Sequence, residues 1–245
     1  MRINELKETI LSKPLPNHIG IILDGNGRWA KRRLLPRNMG HKEGIKTLGE
    51  IVRETKNLGI SYLTVFAFST ENWNRPKEEV VFLMNQIKEY YHKGLKKLID
   101  DKVKIKFIGS RENLSNDIIL IMEDVEQLSK DFEGFTLTIA FNYGSKQEIL
   151  NACKNVSKDV LENKINIDDI NDKLFSSYLY TNTLPDVDLI IRTSGEMRLS
   201  NFLLYQAAYA EFYFPKTLWP DFNKKELYIA INEYQNRNRR FGGIK

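Results

Sequence analysis

The feature that most constrains this chain is an alternation. Short apolar runs rich in β-branched residues recur between longer stretches with helical spacing. His18–Leu23, Tyr62–Phe68, Lys104–Ile108, Thr136–Phe141 and Leu189–Arg192 read as strands. Lys42–Leu58, Lys77–Ile99, Asn116–Lys130 and Lys146–Glu162 read as helices, punctuated by Gly59, Gly109, Gly134 and Gly144. Strands buried on both faces of a parallel sheet are continuously apolar, as "IGIIL" and "LTVFAF" are. The order therefore predicts an α/β fold: a single domain over residues 1–245, with a mainly parallel central sheet flanked by helices. Ligands of such sheets bind at the carboxyl ends of strands. That singles out Asp24–Arg28, Ser69–Arg75 and Arg192–Ser200.

Composition removes some classes. The chain is 42% hydrophobic, enough for a sizeable core, and its 28% charged residues do not reach the bias of a disordered chain. The net charge of +5 suits an anionic ligand, a nucleic acid or an acidic membrane surface and selects none of them. Cys153 is the only cysteine, so no internal disulfide forms, and no Cys/His cluster suggests zinc. Within "EILNACKNV" it reads as a small core residue. The segment "MRINELKETILSK" carries charge in every turn and lacks a signal core, and no apolar run approaches the ~20 residues of a membrane helix. The expected location is cytoplasmic, with membrane association limited to contact at the cytosolic face.

At the first strand end, Gly25-Asn-Gly27-Arg-Trp-Ala30 fits the loose dinucleotide pattern G-x-G-x-x-G/A. A dinucleotide turn should run into a long helix. Pro36 and Gly40 leave only about two turns after Ala30. The second strand ends in Ser69 and Thr70 rather than in an acid that could hold a ribose, and Glu71 is a poor match. Asp24 would also repel a pyrophosphate unless a cation lay between. A diphosphate site fits better. Gly25 and Gly27 let backbone N–H groups approach phosphate, and Arg28 offers a guanidinium fork. Asp24 can hold magnesium, and Arg37 and His41 follow across the Pro–Gly bend.

The second strand end crowds Ser69, Glu71, Asn72, Trp73 and Arg75 together before Pro76 opens a helix, whose Glu78 and Glu79 suit its dipole. At the third, Arg192, a Ser-Gly turn, Arg198 and Ser200 form a second anion cradle. Two phosphate clusters suit an enzyme that joins two diphosphates. The chain shows no Ser-His-Asp arrangement and no paired carboxylates for hydrolysis. Asp24 is not a phosphatase nucleophile by pattern, because position 26 is Asn. The basic stretch "KRRLLPR" lacks interleaved aromatics, so no nucleic-acid partner is expected.

In order, "HIGIILDGNGRWAKRR", "MGHKEG", "FAFSTENWNRPKEEV", "NYGS", "DLIIRTSGEMRLSNFLLYQAAYAEFYF", "LWPDF" and "NRRFGG" resemble the signature blocks of the cis-prenyltransferases. They run from His18 to Gly243 and are most similar to the bacterial undecaprenyl diphosphate synthase branch. The resemblance implies a Mg2+-dependent homodimer that extends farnesyl diphosphate with isopentenyl diphosphate in cis geometry. The product would be a lipid carrier precursor for cell-wall synthesis. It implies catalytic roles for Asp24, Arg28 and Asn72. The primer's diphosphate would lie against Gly25, Asn26, Gly27, Arg28, Trp29, Arg37 and His41. Arg192, Arg198 and Ser200 would hold isopentenyl diphosphate, beneath a mobile loop of Ser69, Thr70, Glu71, Asn72, Trp73 and Arg75. Asp24 would ligate the metal, with Glu211 reaching it across the dimer interface, and Arg240 and Gly242 match an R-x-G phosphate element.

The growing apolar product implies a tunnel between sheet and helices. Ala67, the helix "VFLMNQIKEYY" and the strand "FTLTIAF" are its expected walls, and Phe135 its expected floor. The segment "DDIND", Asp168–Asp172, formally matches the D-D-x-x-D motif of trans-prenyltransferases. Those enzymes are all-helical and carry two such motifs, so here the acids read as a helix start. A family subunit without activity of its own would lack part of the cradle; Asp24, Arg28, Arg192, Arg198, Ser200 and the R-x-G element are all present.

Overall fold

All five apolar runs are strands: β1 (His18–Ile22), β2 (Tyr62–Ser69), β3 (Lys104–Ile108), β4 (Thr136–Tyr143) and β5 (Leu189–Arg192). A sixth, β6 (Glu211–Tyr213), is three residues long and too short for its pattern to register in the sequence. The structure is a computed structural model describing residues 2–90 and 94–238. The strands form one sheet in the order β3-β4-β2-β1-β5-β6, and every pairing is parallel. The order reverses at β1. Its neighbours β2 and β5 lead the chain to opposite edges, which is where α/β sheets open a crevice.

The helices are α1 (Ile3–Leu11), α2 (Asn26–Arg32), α3 (Arg37–Asn57), α4 (Lys77–Tyr90), α5 (Lys96–Asp100), α6 (Asn116–Ser129), α7 (Ser145–Leu161), α8 (Asp172–Ser177) and α9 (Lys224–Gln235). Both faces of the sheet are covered. Ile19, Ile21, Leu63, Val65 and Leu137 point into the larger apolar cluster, beneath α1, α3, α6 and α9. Ile22, Ala140 and Ile190 point into a smaller one with Phe202 and Leu203. A fully buried Ile or Leu here is worth about 1.5–3 kcal/mol, and strands apolar on both sides follow directly.

Two sequence expectations change. Gly40 does not break the chain: α3 starts at Arg37 and runs through both Gly40 and Gly44. The break lies earlier, where Leu34 takes a left-handed φ of 56°. The two glycines serve a close crossing by α2. A Cβ at Gly40 would lie 1.9 Å from the Asn26 carbonyl oxygen, and one at Gly44 would lie 2.3 Å from Asn26 Oδ1. The helix expected over Lys77–Ile99 appears as α4 and α5, and residues 91–93 between them lie outside the described residues. Cys153 is exposed, not a core residue. α7 buries Glu148, Ala152 and Val156, four residues apart on one face, and Cys153 falls off that stripe. The acids of "DDIND" do sit at helix starts: Asn166 caps the turn Ile167–Asp169, and Asn171 caps α8. Among the described residues no helix is long and apolar enough to cross a membrane.

Candidate active site

Ile22 and Arg192 are register partners at the carboxyl ends of β1 and β5. The chain beyond each end is pinned to the other. The Asp24 carbonyl accepts from Trp219 N–H at 3.0 Å and from Thr193 Oγ1 at 2.6 Å. Gly25 then turns with φ 111°, and a Cβ there would lie 2.8 Å from Ser194 Oγ. α2 begins at once, so the N–H groups of its first turn lack acceptors within the helix, and Asn26, Gly27 and Arg28 of that turn border a cavity.

Asp24 is gripped by two arginines. Arg28 Nη2 donates to Oδ1 and Arg192 Nη2 to Oδ2, each at 2.9 Å. Burial pushes the Asp24 carboxyl up, but hydrogen bonds and charge from Arg192 and Arg28 outweigh it and hold the group below the usual carboxylate range. Arg192 is only 5% exposed; its Nη1 also donates to Ser200 Oγ at 2.7 Å and to the Arg198 carbonyl at 2.5 Å. Its buried Nε has no partner in the protein, a donor left over for an anion. Glu196, overlooked in the sequence, bridges the two cradles: it accepts from Arg28 Nη1 at 2.6 Å and from Arg198 Nη1 at 2.5 Å. A carboxylate placed between two arginines in "RTSGEMR" was the signal for it.

A second basic group lies across α2. Arg37 and Arg75 both reach Glu79 Oε1, at 3.2 and 2.9 Å. Glu79 therefore does more than complement a helix dipole. Beside them burial, then the charges of Arg75 and Arg37, lower the His41 pKa to about 4. The imidazole is neutral at pH 7, and its buried Nε2 has no protein partner.

These groups line two adjoining cavities. One of about 580 Å³ is bordered by Gly25, Gly27, Arg28 and Arg37. The other, about 1030 Å³, has Arg192, Ser200, Ser69, Glu71 and Asn72 at its polar end. Its remaining wall is apolar: Leu48, Ala67, Leu83, Leu95, Phe107, Ile139 and Phe141. Asp24, Asn26, His41 and Arg75 border both.

Several expected site residues face elsewhere. Trp29 donates Nε1–H to Asp221 Oδ1 at 2.7 Å and lies under the Arg33 guanidinium, away from both cavities. Trp73 turns inward, bonded to Asn142 Oδ1 at 2.8 Å and edge-on to Phe68. Thr70 borders neither cavity. Arg198 is mostly exposed and engaged with Glu196. Phe135 is a core residue, 2% exposed, and does not border the larger cavity, so it is not its floor. Arg240 and Gly242 lie outside the described residues.

Within the chain Asp24 and Glu211 are not brought together. Glu211 pairs in register with Leu189 at the amino edge of the sheet, and Arg237 Nη1 holds it at 2.7 Å. Among the described residues no three His, Cys, Asp or Glu side chains converge on a metal position. Asp24 still fits a cation that arrives with phosphate. Each of its oxygens accepts one guanidinium bond and keeps lone pairs free, and Mg2+ is commonly held by one carboxylate together with phosphate oxygens and water.

Comparison with known proteins agrees with this arrangement. The family model described as putative undecaprenyl diphosphate synthase matches residues 22–242. An isoprenyl transferase of Streptococcus mutans is 50% identical over 242 residues, 97% of each chain. The structure of a lavandulyl diphosphate synthase from Lavandula x intermedia, solved with dimethylallyl diphosphate, superposes with a TM-score of 0.90 at 35% identity, covering 93% of this chain and 98% of that one. A probable undecaprenyl diphosphate synthase from Campylobacter jejuni superposes with a TM-score of 0.78 at 33% identity, covering 94% and 99%.

Proposed function

The chain belongs to the undecaprenyl diphosphate synthase family of isoprenyl transferases, and on that premise we propose that it adds isopentenyl diphosphate units in cis geometry to farnesyl diphosphate, giving a polyprenyl diphosphate of undecaprenyl length. The observation that carries the reading is continuity. A cationic phosphate cradle opens directly into an apolar cavity of about 1030 Å³. A molecule with a diphosphate head and a growing hydrocarbon tail matches both ends. The plant neighbour's dimethylallyl diphosphate is itself an allylic diphosphate, the class of primer proposed here.

In each cycle the allylic C–O bond breaks, its electron pair leaves with the diphosphate, and the isopentenyl double bond forms the new C–C bond. A proton then leaves the added unit. The α2 N–H groups, Arg28, Arg37 and Arg75 stabilise the departing diphosphate, and His41 adds a neutral hydrogen bond. Arg192 and Ser200 hold the second diphosphate, while Asn72, on the same cavity wall, orients the reacting ends. Asp24, a group of the Ser69–Arg75 loop, or a substrate phosphate takes the proton. Asp24 would hold Mg2+, which when bound would supply charge neutralisation for the leaving diphosphate.

The remaining assignments follow the family resemblance. Residues 1–245 act as one catalytic domain in a homodimer, and the Glu211 carboxylate serves the metal of the opposite subunit. The cationic surface touches the cytosolic face of the membrane as product leaves, and the product feeds the lipid carrier of cell-wall synthesis.

Incubation with farnesyl diphosphate, labelled isopentenyl diphosphate and Mg2+ tests this, with product length read by chromatography. An undecaprenyl-length product is expected. Absence of any prenyl product sinks the proposal, and a product only a few units longer than the primer removes the undecaprenyl length.

A further inference from the structure

The loop after β2 and the cradle after β5 are joined through one side chain. Asn201 Nδ2 donates to Glu71 Oε1 at 2.8 Å and to Gln147 Oε1 at 3.0 Å. Its Oδ1 accepts from Lys146 N–H at 2.8 Å and its carbonyl from Ser145 N–H at 2.9 Å. The amide group is thus fixed by the start of α7 and aimed at the loop. Asn201 immediately follows Ser200, whose hydroxyl accepts from Arg192 at 2.7 Å. Ser200, Asn201 and Leu203 all take left-handed φ values, of 50°, 66° and 46°. Non-glycine residues hold such conformations where surrounding contacts impose them.

Gly144 makes the convergence sterically feasible. A Cβ there would lie 2.6 Å from Thr70 Oγ1 and 2.7 Å from Asn201 Nδ2. Glu71 receives the bond as a carboxylate. Burial raises its pKa, but the Asn201 hydrogen bond and those of its own loop lower it further than burial lifts it. A charged acceptor makes this the stronger kind of hydrogen bond.

We propose that Asn201 is a positioning residue that latches the Thr70–Asn74 turn, through Glu71, to the Arg192–Ser200 cradle. This rests on the prenyl-transfer reading for its consequence. The latch sets the loop over the site of the second diphosphate and reaches the primer's cradle only through Arg75, leaving its α2 side in place. Asn201 handles no reacting atom.

The test uses Asn201→Asp, Glu71→Ala and the double variant Asn201→Asp/Glu71→Gln. The first replaces the donor with a carboxylate facing Glu71. The second breaks the same bond from the exposed loop and leaves Asn201's own contacts in place, so it serves if the first fails to fold. The double variant restores the bond with its direction reversed, because the Gln amide donates to the Asp carboxylate and Gln147 can rotate its amide to do the same. Both single changes should speed hydrogen exchange of the amides at 70–75. They should raise KM for isopentenyl diphosphate roughly tenfold, the scale of one lost charge-assisted hydrogen bond, with a smaller rise in KM for farnesyl diphosphate, which meets the loop only through Arg75. The double variant should recover both readouts.

Wild-type exchange and KM in both single variants would overturn the latch, as would a folded double variant that recovers neither readout. If the wild-type protein makes no prenyl product, the functional reading fails on its own, and the exchange rates still decide the latch.

Discussion

Arg192 Nη2 lies 2.9 Å from Asp24 Oδ2 across the ends of two adjacent parallel strands, although 168 residues separate the two in sequence. One acid and one buried cation thus meet where the two cavities join. Arg28, on the other oxygen of the same carboxylate, ties the pair to α2. The ion pair both organises the crevice and leaves a negative group beside Arg28 and Arg192.

Asp24→Asn should cut turnover by a hundredfold or more while the protein stays folded, the scale seen when a charge-stabilising group is lost from a reacting centre. Arg192 keeps Ser200 and the Arg198 carbonyl as acceptors, so its charge is not stranded. Product formation and thermal unfolding together make the check, and near-normal turnover would remove Asp24 from the mechanism.

Arg192→Lys should raise KM for isopentenyl diphosphate more than for farnesyl diphosphate. An ammonium cannot span Asp24, Ser200 and the Arg198 carbonyl as the guanidinium does. Steady-state kinetics with each substrate varied in turn would show the split, and equal effects on both would contradict the assignment of separate cradles.

His41 should make the protein acid-sensitive above the range of its carboxylates. Its folded pKa of about 4 lies below its unfolded value of 6.5, so the unfolded chain binds the proton first as pH falls. The stability it contributes is whole above pH 6.5 and is lost on the way down to about pH 4. That loss is about 3 kcal/mol. Buried His18 acts with the same sign but is common to wild type and variant. Asp24 contributes only as pH falls below its ordinary 3.8. Denaturant unfolding of wild type and His41→Gln at several pH values should therefore show a shallower acid loss in the variant, and parallel curves would refute it.

Ala67→Leu should shorten the product. Ala67 sits on the wall of the larger cavity, where the β2–β4 register shifts between Phe66 and Phe68. A larger side chain there would fill space that the growing chain needs, while the first condensations continue. Chromatography of the products decides it. An unchanged length distribution would put the hydrocarbon elsewhere.

Much of the fold was legible because its signals are local. Continuous apolar runs mark strands covered on both faces, and the five runs found in the sequence are strands within one or two residues at each end. The three chemically loaded strand ends followed from those strands. Gly40 and Gly44 were harder to read. A glycine looks like a helix break in one dimension, and only the crossing of Asn26 shows that it is a point of close approach. Trp29 and Trp73 belong to motif segments beside the site, but their indole nitrogens are claimed by Asp221 and Asn142, which no local pattern connects to them.

By itself the sequence determined the parallel α/β architecture and the residues offered at each strand end, because burial period and turn chemistry are properties of neighbours along the chain. The tertiary structure alone decided which of those residues meet. It placed β5 beside β1 and so brought Arg192 to Asp24; it put Glu196 between Arg28 and Arg198; and it left Glu211 at the amino end of the strands, opposite the site. Strand order sets these distances, and it is fixed by packing between segments far apart in the chain, for which the sequence carries no periodic signal.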